Sequence, residues 1–330
     1  MLTIGVIGAG RIGQLHVNYL KIKKDVRIKW ISDLNCENME DWINKSNIEN
    51  KTKDHMDIIN DPDVDAILIC SPTDTHLEII KAACKQGKHI FCEKPISLSI
   101  EEAKEALETV EQSNVKLQMG FNRRFDQNFN KLQQSITKGD LGEIQMLRIT
   151  SRDPEPPPID YIKRSGGLFM DMSIHDFDMA RYLMQSEITE VYAMGEALVN
   201  PEIKKYDDVD TAIINLKFEN GSMAVIENCR RSVYGYDQRV EVLGENGLIT
   251  VDNTPSSTLT FHKSTGISTD NPPYFFLERY SEAYQTEIDL FLNAITDDKE
   301  ILCTIEDGFM AQKIAMKCKE SLKEREPKTL

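Results

Sequence analysis

The sequence contains no apolar run long enough to span a bilayer, no C-x-x-C pair and no basic leader ahead of Leu2-Thr3-Ile4-Gly5-Val6-Ile7. A spanning helix needs about 20 consecutive apolar residues, so the chain is expected to stay out of the membrane. The missing leader predicts a cytoplasmic protein. Seven cysteines (Cys36, Cys70, Cys84, Cys92, Cys229, Cys303 and Cys318) are odd in number and scattered, which excludes a disulfide framework or a zinc ribbon and fits a reducing compartment. Basic residues are scarce: 39 Lys and Arg stand against 54 Asp and Glu, a formal charge of −15. A surface of that sign repels the phosphates of nucleic acids and anionic lipids, so neither is an expected partner. Internal repeats and low-complexity segments are also absent. What remains, 40% hydrophobic and 28% charged residues over 330 positions, is the balance of a folded globular chain able to bury two cores.

From Leu2 to about Met119 short apolar runs alternate with amphipathic stretches, the signature of a parallel sheet flanked by helices. Strands are predicted at Thr3-Ile7, Arg27-Ser32, Ala66-Cys70, His89-Cys92 and Lys116-Met119. Between them, His76 to Gln86 has helical spacing with Gly87 as C-cap, and Ser99 with Glu102 forms a capping box opening a helix to about Glu111. After Gly120 the texture changes. Helices are predicted near 127–138 and 170–184, a strand near 143–150, then strands at 188–198, 209–218, 222–231, 238–243 and 248–252 separated by turn signals such as Glu219-Asn220-Gly221. Helical stretches at roughly 276–296 and 305–324 close the chain and are expected to fold back over the domain junction. The expected fold is α/β: an N-terminal Rossmann domain with a doubly wound parallel sheet over 1–120, and a C-terminal α+β domain with an open, largely antiparallel sheet over 121–330.

Gly8-Ala9-Gly10-Arg11-Ile12-Gly13 sits where the first strand must turn into the first helix. Glycines there permit the tight turn, let backbone approach a pyrophosphate, and allow the helix to pack on the strand, while the helix N-terminus offers free N–H groups. The second strand ends in Asp33, 20 positions beyond Gly13, where a carboxylate accepts hydrogen bonds from the adenosine ribose. No arginine follows Asp33, so a 2′-phosphate would meet negative charge without a counter-ion, and NAD is expected over NADP. The rival reading is a glycine turn in an unrelated α/β protein, with Asp33 capping the next helix. Ser71-Pro72-Thr73-Asp74-Thr75-His76 leaves the third strand at the ligand-binding edge of such a sheet. Ser71, Thr73 and His76 are candidates for the nicotinamide side; Asp74 or Thr75 can equally be a helix cap.

The next strand ends in Glu93-Lys94-Pro95 at the same edge, which points Lys94 at the cofactor cleft. It can donate a hydrogen bond to the oxygen at a reacting carbon; the bland reading is a solvated lysine. Further on, Gly166-Gly167-Leu168-Phe169 leads into a predicted helix where four-residue spacing places Asp171 and His175 on one face. Oxidising an alcohol requires removal of its hydroxyl proton as hydride leaves the carbon, and histidine titrates in the right range for that. Against this, Asp171 can simply complement the helix dipole and His175 be an interfacial histidine. Asp171, His175, Asp176 and Asp178 are all potential metal ligands, but nicotinamide chemistry demands no metal and no second histidine stands at zinc spacing, so no metal is expected.

With these motifs in order, the chain resembles the Gfo/Idh/MocA oxidoreductase family over essentially its whole length. Gly8 to Gly13, Glu93-Lys94-Pro95 and the Asp171/His175 helix mark the family. Phe121-Asn122-Arg123-Arg124-Phe125-Asp126, Ser151-Arg152-Asp153-Pro154 and Tyr234-Gly235-Tyr236-Asp237 suggest its inositol 2-dehydrogenase branch. The resemblance implies NAD-dependent oxidation of a ring hydroxyl of a small neutral cyclitol, and a homotetramer built across the C-terminal sheet. It makes His175 the general base, Asp171 its partner and a substrate ligand, Lys94 the donor at the reacting oxygen, and Arg124, Asp153, Tyr236 and Tyr284 substrate contacts. It further implies that Asp153 stands where some inositol enzymes carry asparagine; a carboxylate accepts hydrogen bonds without offering any. Other expectations stay open: an aldose or other polyol as substrate, a non-catalytic dinucleotide-binding regulator, or an NAD-dependent glycosidase.

Overall fold

Strand β1, Leu2–Ile7, is apolar or glycine except for Thr3 and is almost wholly buried, so it must lie at the centre of a sheet covered on both faces. In the computed structural model, which describes residues 1–330, β1 is followed by helix α1 (Arg11–Leu20), β2 (Val26–Ser32), α2 (Glu40–Lys45), β3 (Asn50–Thr52), α3 (His55–Ile59), β4 (Ala66–Ile69), α4 (His76–Lys85), β5 (His89–Glu93), α5 (Ile100–Glu111) and β6 (Leu117–Gly120). The six strands are parallel in the order β3-β2-β1-β4-β5-β6. This is the doubly wound sheet that the sequence predicts, with one strand more. β3 was not expected because Asn50–Thr52 is three polar residues at an edge, held by the ladder to β2 rather than by burial. Ser99 caps α5 as expected, its Oγ accepting from the Glu102 N–H at 3.3 Å, and Gly87 takes the left-handed conformation just after α4.

The second part runs α6 (Gln127–Thr137), β7 (Ile144–Arg152), α7 (Ile159–Ser165), α8 (Ile174–Met184), β8 (Ile188–Glu196), β9 (Thr211–Phe218), β10 (Met223–Cys229), β11 (Asp237–Gly244), β12 (Gly247–Val251), β13 (Thr260–Lys263), β14 (Gly266–Thr269), α9 (Phe276–Arg279), α10 (Ser281–Thr296), α11 (Ile305–Glu324) and β15 (Lys328–Thr329). Seven strands form an open mixed sheet, β12-β11-β7-β10-β9-β8-β15, antiparallel throughout except for the parallel pair β7 and β10. Strict alternation of buried and exposed residues along β9 shows one face packed and one face open. α8 packs on β7. Two features depart from the expected pattern: β13 and β14 form a separate small hairpin, and the helix expected from Met170 begins with a π-helical turn, Phe169–Ser173, before α8.

The chain divides into two compact units, Met1–Asn122 with Glu282–Met310, and Arg123–Ser281 with Ala311–Leu330. The sequence puts a single boundary at 120; the structure returns 282–310 to the first unit. The reason is apolar: Ile288, Phe291 and Leu292 of α10 are buried in the same core as Ile4, Val6, Leu68 and Phe91. Each such side chain contributes about 1.5–3 kcal/mol when fully buried, enough to fix α10 against the parallel sheet.

Candidate active site

At the carboxyl edge of the parallel sheet, Gly8 (φ 97°) turns the chain from β1 into α1, and a Cβ there would lie 2.5 Å from the Cys70 carbonyl. A Cβ on Gly13 would lie 2.0 Å from the Gly8 oxygen, so α1 can approach the turn only without a side chain. Gly10 is different: nothing lies within 4 Å of its Cβ position, and as N-cap it brings no side-chain partner to the first turn of α1. That leaves an open cradle at a helix N-terminus, which fits a pyrophosphate. Asp33, just past β2, is fixed facing the turn: its Oδ2 accepts from the Ala9 N–H and its Oδ1 from the Asn35 N–H, both at 2.8 Å. A carboxylate has about four lone-pair sites, so acceptor capacity remains for ribose hydroxyls. Arg11 is exposed and Ile12 half-buried beside this turn.

Past β4, Ser71 Oγ and Thr75 Oγ1 are hydrogen-bonded at 2.7 Å, and Thr75 donates to the Pro72 carbonyl at 2.8 Å. Ser71 and Thr73 stay accessible at this edge. His76, the third residue expected on this side, is held between two backbone carbonyls. It is 1% exposed, with Nδ1 2.9 Å from the Pro95 carbonyl and Nε2 3.0 Å from the Ser71 carbonyl, so it ties the β4 loop to the Glu93-Lys94-Pro95 loop. Burial holds its imidazole below the ordinary range, against the upward pull of those carbonyls. The Lys94–Pro95 peptide is cis, and Lys94 is half-buried at the end of β5. Glu93 accepts from His16 of α1 at 3.0 Å, and Glu287 of α10 lies beside them, its carboxyl pushed well up by burial and then by the Glu93 charge.

In the second unit the parallel pairing of β7 with β10 sets Arg152 opposite Cys229, and antiparallel β11 sets Asp237 opposite Arg152. The residues just outside these ends, Asp153, Arg230 and Tyr236, therefore come to one edge of the sheet. Arg230 is 1% exposed; its two terminal nitrogens each donate to Asp171 Oδ2 at 3.1 Å, and Asp153 Oδ2 lies 3.7 Å away. Tyr161 of α7 donates to the other Asp171 oxygen at 2.8 Å. Burial raises the Asp153 carboxyl to about 6, the Asp171 charge adding to it and Arg230 opposing it. From Leu168 to Ala180 every residue is buried except Asp171 and His175. Those two alone in the segment present surface, one in the π turn and one in the first turn of α8.

Four residues to which the sequence assigned no role, Arg123, Asn228, Tyr280 and Arg230, complete this unit's cluster. Arg123 is paired with buried Asp176 and donates to Ser151 Oγ at 3.2 Å, Asp176 also accepts from Asn228 at 2.8 Å, and the Tyr280 ring meets Tyr236 edge-on at 5.9 Å. Arg230 is the fourth. Two of the expected substrate residues have partners within the protein. Arg124 was expected at the substrate, but its guanidinium, 6% exposed, forks onto Asp178 at 2.6–3.1 Å and stacks over Tyr182. The Tyr284 ring of α10 lies 6.0 Å from His16, and the Tyr280 ring, one turn earlier, meets Tyr236. Asp176 and Asp178, counted as potential metal ligands, are each committed to an arginine.

A glycine turn opening onto a helix N-terminus, a carboxylate fixed at the end of the second strand, and a separate unit bearing acid–base side chains define an NAD-binding oxidoreductase. The chain belongs to the Gfo/Idh/MocA family: residues 2–121 match its NAD-binding Rossmann fold, and residues 133–330 match its C-terminal alpha/beta domain. It is 52% identical over 321 residues to an uncharacterized oxidoreductase, YrbE, of Bacillus subtilis, covering 97% of this chain and 94% of that one. It is 46% identical over 324 residues to myo-inositol 2-dehydrogenase of Thermotoga maritima, covering 98% and 97%. Its structure superposes with a TM-score of 0.93, at 30% identity and 100% and 99% coverage, on scyllo-inositol dehydrogenase from Lactobacillus casei with bound NAD(H) and scyllo-inositol. No helix is long and apolar enough to cross a membrane.

Proposed function

We propose that this protein oxidises one ring hydroxyl of an inositol to a ketone, with His175 as general base. The observation that carries the reading is that Asp171 and His175 alone present surface in an otherwise buried segment, with Asp171 bonded to Arg230 beside Asp153. Similarity to inositol dehydrogenases of T. maritima and L. casei supports the substrate class.

In this reading NAD, when bound, accepts the hydride. His175 takes the hydroxyl proton, Lys94 donates to the reacting oxygen, and Asp171, held by Arg230 and Tyr161, orients the imidazole and a substrate hydroxyl. Gly8, Gly10, Gly13, Asp33, Ser71, Thr73 and Glu93 line the cofactor side; Asp153 and Tyr236 meet the polyol. The seven free cysteines support a cytoplasmic setting. The open face of the seven-stranded sheet carries Met146, Met194, Ile213 and Met223, each 45–53% exposed, which supports assembly of copies across that face into a tetramer.

The test is NADH formation by the purified protein with myo-inositol, scyllo-inositol, chiro-inositol, glucose and xylose, each with NAD or NADP. Rapid reduction of NAD with an inositol alone is expected. Turnover of glucose or xylose instead would replace the substrate class; NAD binding without reduction would favour a regulator; sugar release from a nitrophenyl glycoside without net NADH would mark a glycosidase.

A further inference from the structure

Within the first unit, away from the acid–base groups assigned above, three ionisable side chains from separate elements converge: His16 of α1, Glu93 of β5 and Glu287 of α10. Their nearest ligand atoms all lie within 4.8 Å of one another. His16, whose side chain is 1% exposed, meets Glu93 at 3.0 Å, while the Glu93 side chain keeps 14% of its surface. Glu287 is completely buried and neither of its carboxyl oxygens has a hydrogen-bond partner. Lys94 follows Glu93 in the chain, and the other groups around the cluster, Cys70 after β4, Cys92 of β5, buried His76 of α4 and Tyr284 of α10 edge-on to His16, add no fixed positive charge. Burial without a hydrogen-bond partner, with the Glu93 charge beside it, pushes the Glu287 carboxyl well up, so the proton of the pair sits on Glu287.

We propose that the Glu93–Glu287 pair, braced by His16, holds one proton in the free enzyme and gives it up when oxidised cofactor binds. The inference rests on the placement of Glu93 beside the nicotinamide. The oxidised ring carries a positive charge; brought to the end of β5 next to Lys94, it stabilises the second carboxylate and the proton leaves for solvent through Glu93, the one partly exposed member. No bond in the cofactor changes in this step: bound NAD⁺ and the protonated pair become bound NAD⁺, the ionised pair and a free proton. The reduced ring is neutral and has no such effect. Hydride transfer would therefore be followed by proton recapture, so that the affinity for NAD⁺ depends on pH and the affinity for NADH does not. The sign follows from linkage: binding that releases a proton strengthens as pH rises.

Isothermal titration of the full-length enzyme with NAD⁺ and with NADH, each in two buffers of different ionisation enthalpy, reads the proton directly. Up to one proton per chain is expected to be released with NAD⁺ and none with NADH, with the NAD⁺ Kd falling by up to about tenfold per pH unit through the titration of the pair. Glu287→Gln, which cannot titrate, should abolish the release and flatten the slope; Glu287→Leu serves the same purpose if the glutamine variant misfolds. Buffer-independent heats with wild-type enzyme would overturn the inference, as would unchanged release in both variants. A divalent metal found at one per chain in the purified protein would also overturn it, because a cation rather than a proton would then neutralise the pair. Such a failure alongside inositol oxidation leaves the dehydrogenase reading standing, whereas a silent substrate panel removes that reading and not the proton measurement.

Discussion

His175 and Asp153 make the chemistry testable one side chain at a time. A general base of this kind contributes about 10²–10⁴ in rate. His175→Ala is expected to lower kcat by that amount while leaving the NAD Kd within about twofold, since His175 belongs to the second unit and the nucleotide residues to the first; wild-type turnover in the variant would remove it from the mechanism. Asp153 behaves differently because its carboxyl is raised to about 6. Below that pH it is neutral and offers an O–H; above it, it only accepts. An exchange of a neutral for a charged hydrogen bond is worth roughly 1 kcal/mol, about fivefold in affinity. The polyol KM is therefore expected to change across pH 6, and Asp153→Asn, neutral at every pH, to remove that step. A KM step that survives in the asparagine variant would assign it to another group.

At the level of elements, legibility followed the range of the interactions. The strand-turn-helix around Gly8 to Gly13 is local, each glycine answering to a contact within one crossover, and it was readable. So were Ser99 with Glu102 and strands β8 to β12, each end to within two residues. The parallel pairing of β7 with β10 is not local: it joins residues more than 70 positions apart. It alone brings Arg230 to Asp153, so Arg230 was missed. The π turn at Phe169–Ser173 was missed because apolar spacing reads the same in an α-helix. Adjacent Arg123 and Arg124 reach different partners, Asp176 and Asp178, and nothing in the dipeptide says which one turns toward Tyr236. Asp33 is the clearest test of an element-level inference, because it closes the turn onto Ala9 and is proposed to accept from the ribose as well. Asp33→Ala removes charged hydrogen bonds worth about 1.5–3 kcal/mol each. The NAD Kd is expected to rise at least tenfold while the Kd for NADP rises less, narrowing the preference; an unchanged ratio of the two would place the ribose elsewhere.

At the scale of the whole molecule, the open sheet face sets solubility against assembly. Met223 on β10 pairs with Met146 on β7 and lies beside Lys217 on β9, while Ile213 pairs with Met194 and Glu227. Apolar side chains thus form a patch interrupted by charges, the face on which the proposed tetramer would assemble. Each chain also carries a formal charge of −15, so association works against repulsion that salt screens within about 10 Å at 0.1 M. The assembly is consequently expected to be tighter at 0.5 M salt than at 0.02 M, the reverse of an interface held by opposite charges. Met223→Glu, exposed in the single chain and far from any residue assigned to the site, should cost the chain itself less than about 0.5 kcal/mol as a surface change. In the assembly it would bury an unpaired carboxylate. Light scattering on wild-type and variant protein is expected to show a tetramer falling to smaller species in the variant without loss of Tm in excess of a few degrees. A variant that remains tetrameric would move the interface off this face.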